Sequence, residues 1–178
     1  NLSEAEKSTR KAIEMNSNYA MAHTNLGNIL SDLGNLSEAE LSTRKAIELK
    51  PNHVDSYYQL GAILIDLGKS EEAIKYWEKA VELNPKYDKS VIALAHYLCY
   101  RKEYELALKY LIKSKSNACQ SLYLGCLLSL DREKDFNQKY TELSENKACN
   151  AEIGGIVEHA NIIYKKHYKS PFCNEAIK

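Results

Sequence analysis

Asn1–Glu14 reads NLSEAEKSTRKAIE, and Asn35–Glu48 reads NLSEAELSTRKAIE. The two stretches differ at one position, Lys7 against Leu41, and lie 34 residues apart. The step continues outward. YAMAHTNLGNILSDLGNLSEAE from Tyr19 is followed by HVDSYYQLGAILIDLGKSEEAI from His53, and a weaker copy, YDKSVIALAHYLCYRKEYELAL, starts at Tyr87. A fixed period of this length marks an array of one supersecondary unit. Because the stretch at Asn1 is the second half of such a unit, the chain is expected to begin in mid-repeat, as a fragment of a longer protein.

Each unit reads as two helices, A and B, with apolar residues at helical spacing. On the A helices these include Leu26, Ile29, Leu30 and Leu33, then Leu60, Ile63, Leu64 and Leu67. Small residues recur where paired helices must touch: Gly27, Gly61 and Ala95 on A, with Ala5, Ala39, Ala73 and Ala107 on B. A second small position follows one turn later, at Ala12, Ala46, Ala80 and Ser114. A larger side chain there would overpack the contact, at a cost of ~1–3 kcal/mol. Gly34 and Gly68 are placed to end the A helices in the left-handed conformation. Pro51 and Pro85 close the B helices, since proline cannot continue one. A two-helix unit cannot bury its own apolar face, so neighbouring units must stack.

Spacing and residue types resemble the tetratricopeptide repeat from residue 1 to about residue 114. The resemblance implies an all-α fold, a right-handed superhelical solenoid of stacked antiparallel helix pairs. Residues 1–117 would be repeats, the first lacking its A helix, and 118–178 degenerate helical pairs, a cap or adaptor truncated at its C-terminus. In the fourth unit Lys102 replaces the turn glycine and Cys119 the terminal proline. The step then shortens. SLYLGCLLSLDREKDFNQKYTEL from Ser121 shows an A-like helix, with Leu124-Gly125 standing as Leu60-Gly61 do, and a B-like helix over roughly 135–144. A further amphipathic helix is expected over about 151–166, with close packing or a kink at Gly154-Gly155, and a helix start after Ser170-Pro171. QSLYLGCLLSLDREKDFNQKY with CNAEIGGIVEHANIIYKKHYKSPFCNEA resembles the segment that precedes an iron/2-oxoglutarate oxygenase-like domain in some bacterial repeat proteins. Any such catalytic domain would lie beyond Lys178.

Lys plus Arg equals Asp plus Glu, 24 each, so the chain lacks the basic excess of a general nucleic-acid binder. Its densest basic cluster is Lys165, Lys166, His167 and Lys169, read as a solvated helix end. No apolar run approaches the ~20 residues that span a bilayer. Five scattered cysteines without a CxxC pair suit reduced, partly buried thiols, and the expected location is cytoplasmic. His53-Val54-Asp55 has the spacing that opens an iron-binding triad, but it falls at a helix start, where Asp55 suits the dipole. His159, His167 and Cys173 have no zinc spacing. The NLS sequons at Asn1 and Asn35 read as turns between helices. No nucleophile elbow, phosphate loop or metalloprotease motif is present. The chain is therefore read as non-catalytic, with no cofactor and no metal.

In tetratricopeptide solenoids the A helices line the concave side, which directs attention to A-helix residues facing neither the partner helix nor the next repeat. These are Asn25, Asn28 and Asp32; Asp55, Tyr58, Gln59 and Asp66; and Lys89, His96 and Tyr100, with Ala62 and Ile92 among them. Amides, carboxylates and tyrosines together suit an extended peptide. Family co-chaperones grip a terminal carboxylate with lysines, an arginine and asparagines; of that set only Asn28 is matched, and Thr24, Tyr58 and Ile92 stand where the first lysine would be. The O-linked N-acetylglucosamine transferase repeats use an asparagine ladder before the Leu-Gly pair; Asn25 matches, Gln59 substitutes, and Ala93 breaks it. Tyr57, Tyr97, Tyr110 and Trp77 are assigned to packing. The leading expectation is a protein-interaction module with a protein or peptide ligand, and neither nucleic acid nor membrane as partner. The alternatives are the substrate-presenting arm of a larger enzyme, oxygenase-like or glycosyltransferase-like, and a scaffold that self-associates through its solenoid ends.

Overall fold

The computed structural model describes residues 1–145, together with Gly155 and Ala160. Among the described residues the elements are all helices: α1 Leu2–Met15, α2 Ala20–Asp32, α3 Leu36–Leu49, α4 Val54–Asp66, α5 Ser70–Leu83, α6 Asp88–Tyr100, α7 Tyr104–Leu111, α8 Asn117–Ser129 and α9 Glu133–Glu145. The A helices α2, α4 and α6 start at Ala20, Val54 and Asp88, and the B helices α1, α3, α5 and α7 at Leu2, Leu36, Ser70 and Tyr104. Each series keeps the 34-residue step without a slip. This is an all-α helical-repeat solenoid. The chain forms two compact units, Asn1–Ser90 and one beginning at Val91.

In the first unit, packing follows the small residues. Ala39, Ala46, Ala73 and Ala80 have no exposed surface, while Ala5 and Ala12 on α1 are half-buried. A Cβ at Gly27 would fall 2.1 Å from Thr43 Oγ1, and one at Gly61 would fall 2.3 Å from Trp77 Nε1. Trp77 lies against the bare backbone of α4 and donates its indole N–H to the Tyr58 carbonyl at 3.1 Å. It occupies the position of Thr9 and Thr43, whose hydroxyls instead donate back to Ala5 and Ala39 carbonyls. Within this unit the core crosses from one repeat to the next, as stacking demands. Ile63 of α4 joins Leu26, Leu30 and Ala39, and Ile13 and Leu67 pack against them. Ile47 of α3 packs in turn on Leu60, Leu64 and Ala73.

Along the B helices, Arg10 pairs with Glu6 at 2.8 Å and reaches Glu38 of the next B helix at 2.6 Å. One period later Arg44 repeats this with Glu40 and Glu72, and adds the Tyr76 hydroxyl. Burial opposes the Arg44 charge, but the Glu72 and Glu40 hydrogen bonds outweigh it and hold the pKa above its usual range. Glu78 stands where a third arginine would continue the series. Glu38 keeps half its side-chain surface in water, so its bridge contributes little to stability.

Gly34 and Gly68 adopt φ of 80° and 74°, and the next N–H closes on Leu30 and Leu64 carbonyls at 2.8 Å. In the second unit this closure survives without glycine. Lys102 takes φ 63° and Glu103 N–H reaches the Leu98 carbonyl at 2.8 Å; Asp131 takes φ 53° and Arg132 N–H reaches Leu127 at 3.0 Å. The stacked helices impose the turn on Lys102, which tolerates it poorly, while Asp131 is among the side chains that adopt it more readily. The repeat shortens here: α7 ends at Leu111, and α8 starts at Asn117, where the 34-residue step would put Leu122. Ser114 is buried in that connection, and its carbonyl accepts from Gln120 Nε2. The B-like helix expected over 135–144 is α9. Gly155 is helical and exposed, and Gly154 lies outside the described residues. The helices expected over 151–166 and after Pro171 lie outside the described residues.

Two outcomes test this packing. Gly61→Ala should destabilise by ~1–3 kcal/mol, and a Trp77→Ala background should remove most of that loss, measured by urea unfolding of all four proteins. Lys102→Gly should raise stability by about 0.5–1 kcal/mol, the relief of left-handed strain less the added chain entropy. A lower Tm for Lys102→Gly would mean that the lysine side chain outweighs its backbone.

Candidate functional site

Successive A helices of the first unit are joined by polar contacts that change character from one repeat to the next. Between α2 and α4, buried Thr24 Oγ1 and Ser56 Oγ are 2.7 Å apart, and His53 Nδ1 lies 2.7 Å from the same Ser56 oxygen. One period later Ser90 stands where Ser56 does, but Tyr58 replaces Thr24 and Tyr87 replaces His53. No short hydroxyl or imidazole is left for Ser90, and its Oγ is buried without a partner. The contact is rebuilt around aromatics. Tyr87 donates its hydroxyl to Asp55 Oδ1, its ring meets Tyr58 edge-on at 6.0 Å, and Lys89 Nζ lies 6.0 Å from the Tyr58 ring centre. Burial, then the hydrogen bond to the Asp55 side chain, push the Tyr87 pKa above its normal value. The phenol stays a donor at neutral pH.

Of the ten residues singled out from sequence, Asp55, Tyr58 and Lys89 come together here. Tyr87, the residue that links Asp55 to Tyr58, was missed. The usable signal was its position one period beyond His53, before the first turn of α6. Asn25 and Asp32 are exposed on α2, and Asp66 on α4; Gln59 is half-buried. Asn28 is half-buried, and its Oδ1 is fully buried with no hydrogen-bond partner. His96 and Tyr100, on the part of α6 in the second unit, are both exposed, Tyr100 at 76%. Tyr97 packs near Tyr100, with ring centres 6.4 Å apart, and Tyr57 is buried with its hydroxyl on the Pro51 carbonyl.

The His53/Asp55 pair takes other partners: His53 meets Ser56 and Asp55 accepts from Tyr87. Among the described residues no group of three or more His, Cys, Asp or Glu side chains is placed to hold a metal ion. Cys99, Cys119 and Cys126 are buried thiols. No helix among the described residues is long and apolar enough to cross a membrane. His159, Lys165, Lys166, His167, Lys169 and Cys173 lie outside the described residues. Two clefts are formed elsewhere. One of about 450 Å³ runs between α1, α2 and α3 and includes Arg10, His23 and the exposed Leu41. The other, about 380 Å³, is lined by α8 and α9 residues with Ile112 and Arg132. None of the ten candidate residues lines either cleft.

Helix pairs repeating every 34 residues, with small residues at each close contact, define a class of interaction scaffold. The family model of the tetratricopeptide repeat matches residues 20–53 and 54–87, and these residues are tetratricopeptide repeats. Solved structures agree on the fold. YrrB, described as a TPR protein with an unusual peptide-binding site, is 22% identical, with a TM-score of 0.65 over 92% of this chain and 92% of its own. PilF of Pseudomonas aeruginosa is 18% identical, with a TM-score of 0.64 over 90% of this chain and 70% of its own. An O-GlcNAc transferase mutant of Thermobaculum terrenum is 26% identical, with a TM-score of 0.57 over 61% of this chain. The matched region spans 22% of that transferase. No curated protein matches the chain in sequence. Repeats and fold together make this chain a protein-interaction module.

Proposed function

We propose that the A-helix face around Asn25, Asn28, Asp55, Tyr58 and Lys89 binds an extended peptide. The observation that carries this reading is Asn28. Its Oδ1 is a buried acceptor without a donor, on the face where the family precedent places a ligand-gripping asparagine. A buried acceptor left unpaired costs ~1–3 kcal/mol, so turning the half-buried Asn28 amide outward to meet a backbone N–H brought by a peptide would recover that loss. Asn25 offers both an acceptor and donors from the exposed surface beside it. Tyr58 is held in place by Tyr87 and Lys89, and a fixed aromatic gives contact area at little further entropic cost. Asp32, Gln59 and Asp66 supply polar edges.

The test begins with a display library of unstructured peptides selected on the full chain, followed by fluorescence anisotropy on a recovered peptide. Asn28→Ala and Tyr58→Ala should each weaken binding about tenfold, equal to ~1.4 kcal/mol. Leu41→Ala, in the cleft between α1, α2 and α3, should leave it unchanged. Failure to recover any peptide, or equal affinity in all variants, overturns the reading.

A second reading has one observation in its favour, the likeness to part of an O-GlcNAc transferase at 26% identity. In it, the repeats present a polypeptide to a catalytic domain carried elsewhere in a longer protein, glycosyltransferase-like or oxygenase-like. Sequencing the gene on both sides of this segment decides: a catalytic domain in the same reading frame supports it, and its absence ends it.

A further inference from the structure

Cys99 on α6 and Cys126 on α8 both fall in the second unit. Their Sγ atoms are 3.3 Å apart, and the residues are 1% and 0% exposed. Both are free thiols. The repeat pattern does not ask for sulfur at either place: Ile65 stands one period before Cys99, and Ala62 follows Leu60-Gly61 as Cys126 follows Leu124-Gly125. A disulfide needs its sulfurs at about 2.05 Å, so the pair must close by about 1.3 Å. Rotation of the two unbranched side chains is the movement that would close it. We infer that Cys99 and Cys126 are a modification site, a dithiol that a small hydroperoxide converts to a disulfide joining α6 to α8.

Cys99 reacts first. The hydrogen bond from Cys126 favours a Cys99 thiolate and draws its pKa down, whereas the same bond and burial push Cys126 up. The Cys99 thiolate attacks one peroxide oxygen; an S–O bond forms, the O–O bond breaks, and the departing hydroxide takes up the proton Cys99 released. Cys126 Sγ then attacks the sulfenic sulfur, an S–S bond forms, and the hydroxyl leaves as water with the Cys126 proton. Two thiols lose two electrons and two protons, and hydrogen peroxide becomes two waters. Burial restricts the first step to a small uncharged oxidant admitted by local opening. The second step needs no access, because the partner sulfur is already in contact. The same burial then shields the disulfide from bulky thiol reductants. The bond closes a loop that contains all of α7 and ties α6, which carries His96 and Tyr100, to α8. The inference stands apart from the peptide-binding reading.

The test treats the full chain with hydrogen peroxide, alkylates the remaining thiols and maps tryptic peptides without reduction. Arg101, Lys113 and Lys115 separate Cys99 from Cys126 on cleavage, and fragment spectra distinguish Cys126 from Cys119 on the shared peptide. The expected result is an intrachain Cys99–Cys126 link with loss of two hydrogens and a higher Tm, both reversed by dithiothreitol. Cys99→Ser should abolish the link and the rise in Tm; if that variant does not fold, the wild-type map decides alone. Sulfinic acids at both positions, a link between two chains, or two intact thiols after the other cysteines have been oxidised each overturns the inference.

Discussion

The stack depends on how near the two helices of a pair can approach. At Gly27 and Gly61 the approach is so close that a single Cβ would sit 2.1 Å from Thr43 Oγ1 or 2.3 Å from Trp77 Nε1. With the helices that close, Leu26, Leu30, Leu60 and Leu64 lose nearly all contact with water. Apolar burial drives the association, but the absence of side chains at the crossing makes the burial complete. Trp77 shows that the partner position is free to vary. A ring replaces a threonine hydroxyl, provided that glycine faces it and the indole N–H finds the Tyr58 carbonyl.

A helix spacing set by packing also governs the turns. Gly34 and Gly68 enter the left-handed region at no steric cost, whereas Lys102 enters it against its own preference and Asp131 at a smaller cost. All four turns close through the same backbone hydrogen bond between flanking residues. The second unit thus keeps the turn geometry after its sequence has lost the turn residue. Its regularity fails in the connection instead, where α7 is short and Ser114 and Gln120 fill the gap with a buried hydrogen bond.

On the A-helix face, the exchange of Thr24 for Tyr58 and of His53 for Tyr87 converts a buried hydroxyl contact into an aromatic one anchored on Asp55. The cost appears at Ser90, whose hydroxyl loses its partner. The gain is a tyrosine ring held beside a lysine on a face that also carries Asn25 and Asn28. A protein-interaction module needs such fixed groups, because a side chain ordered before binding loses less entropy on contact.

The sequence by itself determined the period, the helix identities, the small-residue contacts and the packing role of Trp77. All of these follow from local spacing and from side-chain size at one position. It also pointed to the A-helix face, and there its reach was partial. It placed Asp55 and Tyr58 on that face but did not see Tyr87 between them, because Tyr87 precedes its helix and meets Asp55 across a full repeat. Nor could it distinguish Asn28, with a buried and unpaired oxygen, from the exposed Asn25 three residues away. The contact of Cys99 with Cys126 was equally hidden, since scattered cysteines without a motif imply no pairing. Only the tertiary structure decided these points, because stacking brings together residues from different repeats at distances that no spacing within one helix encodes.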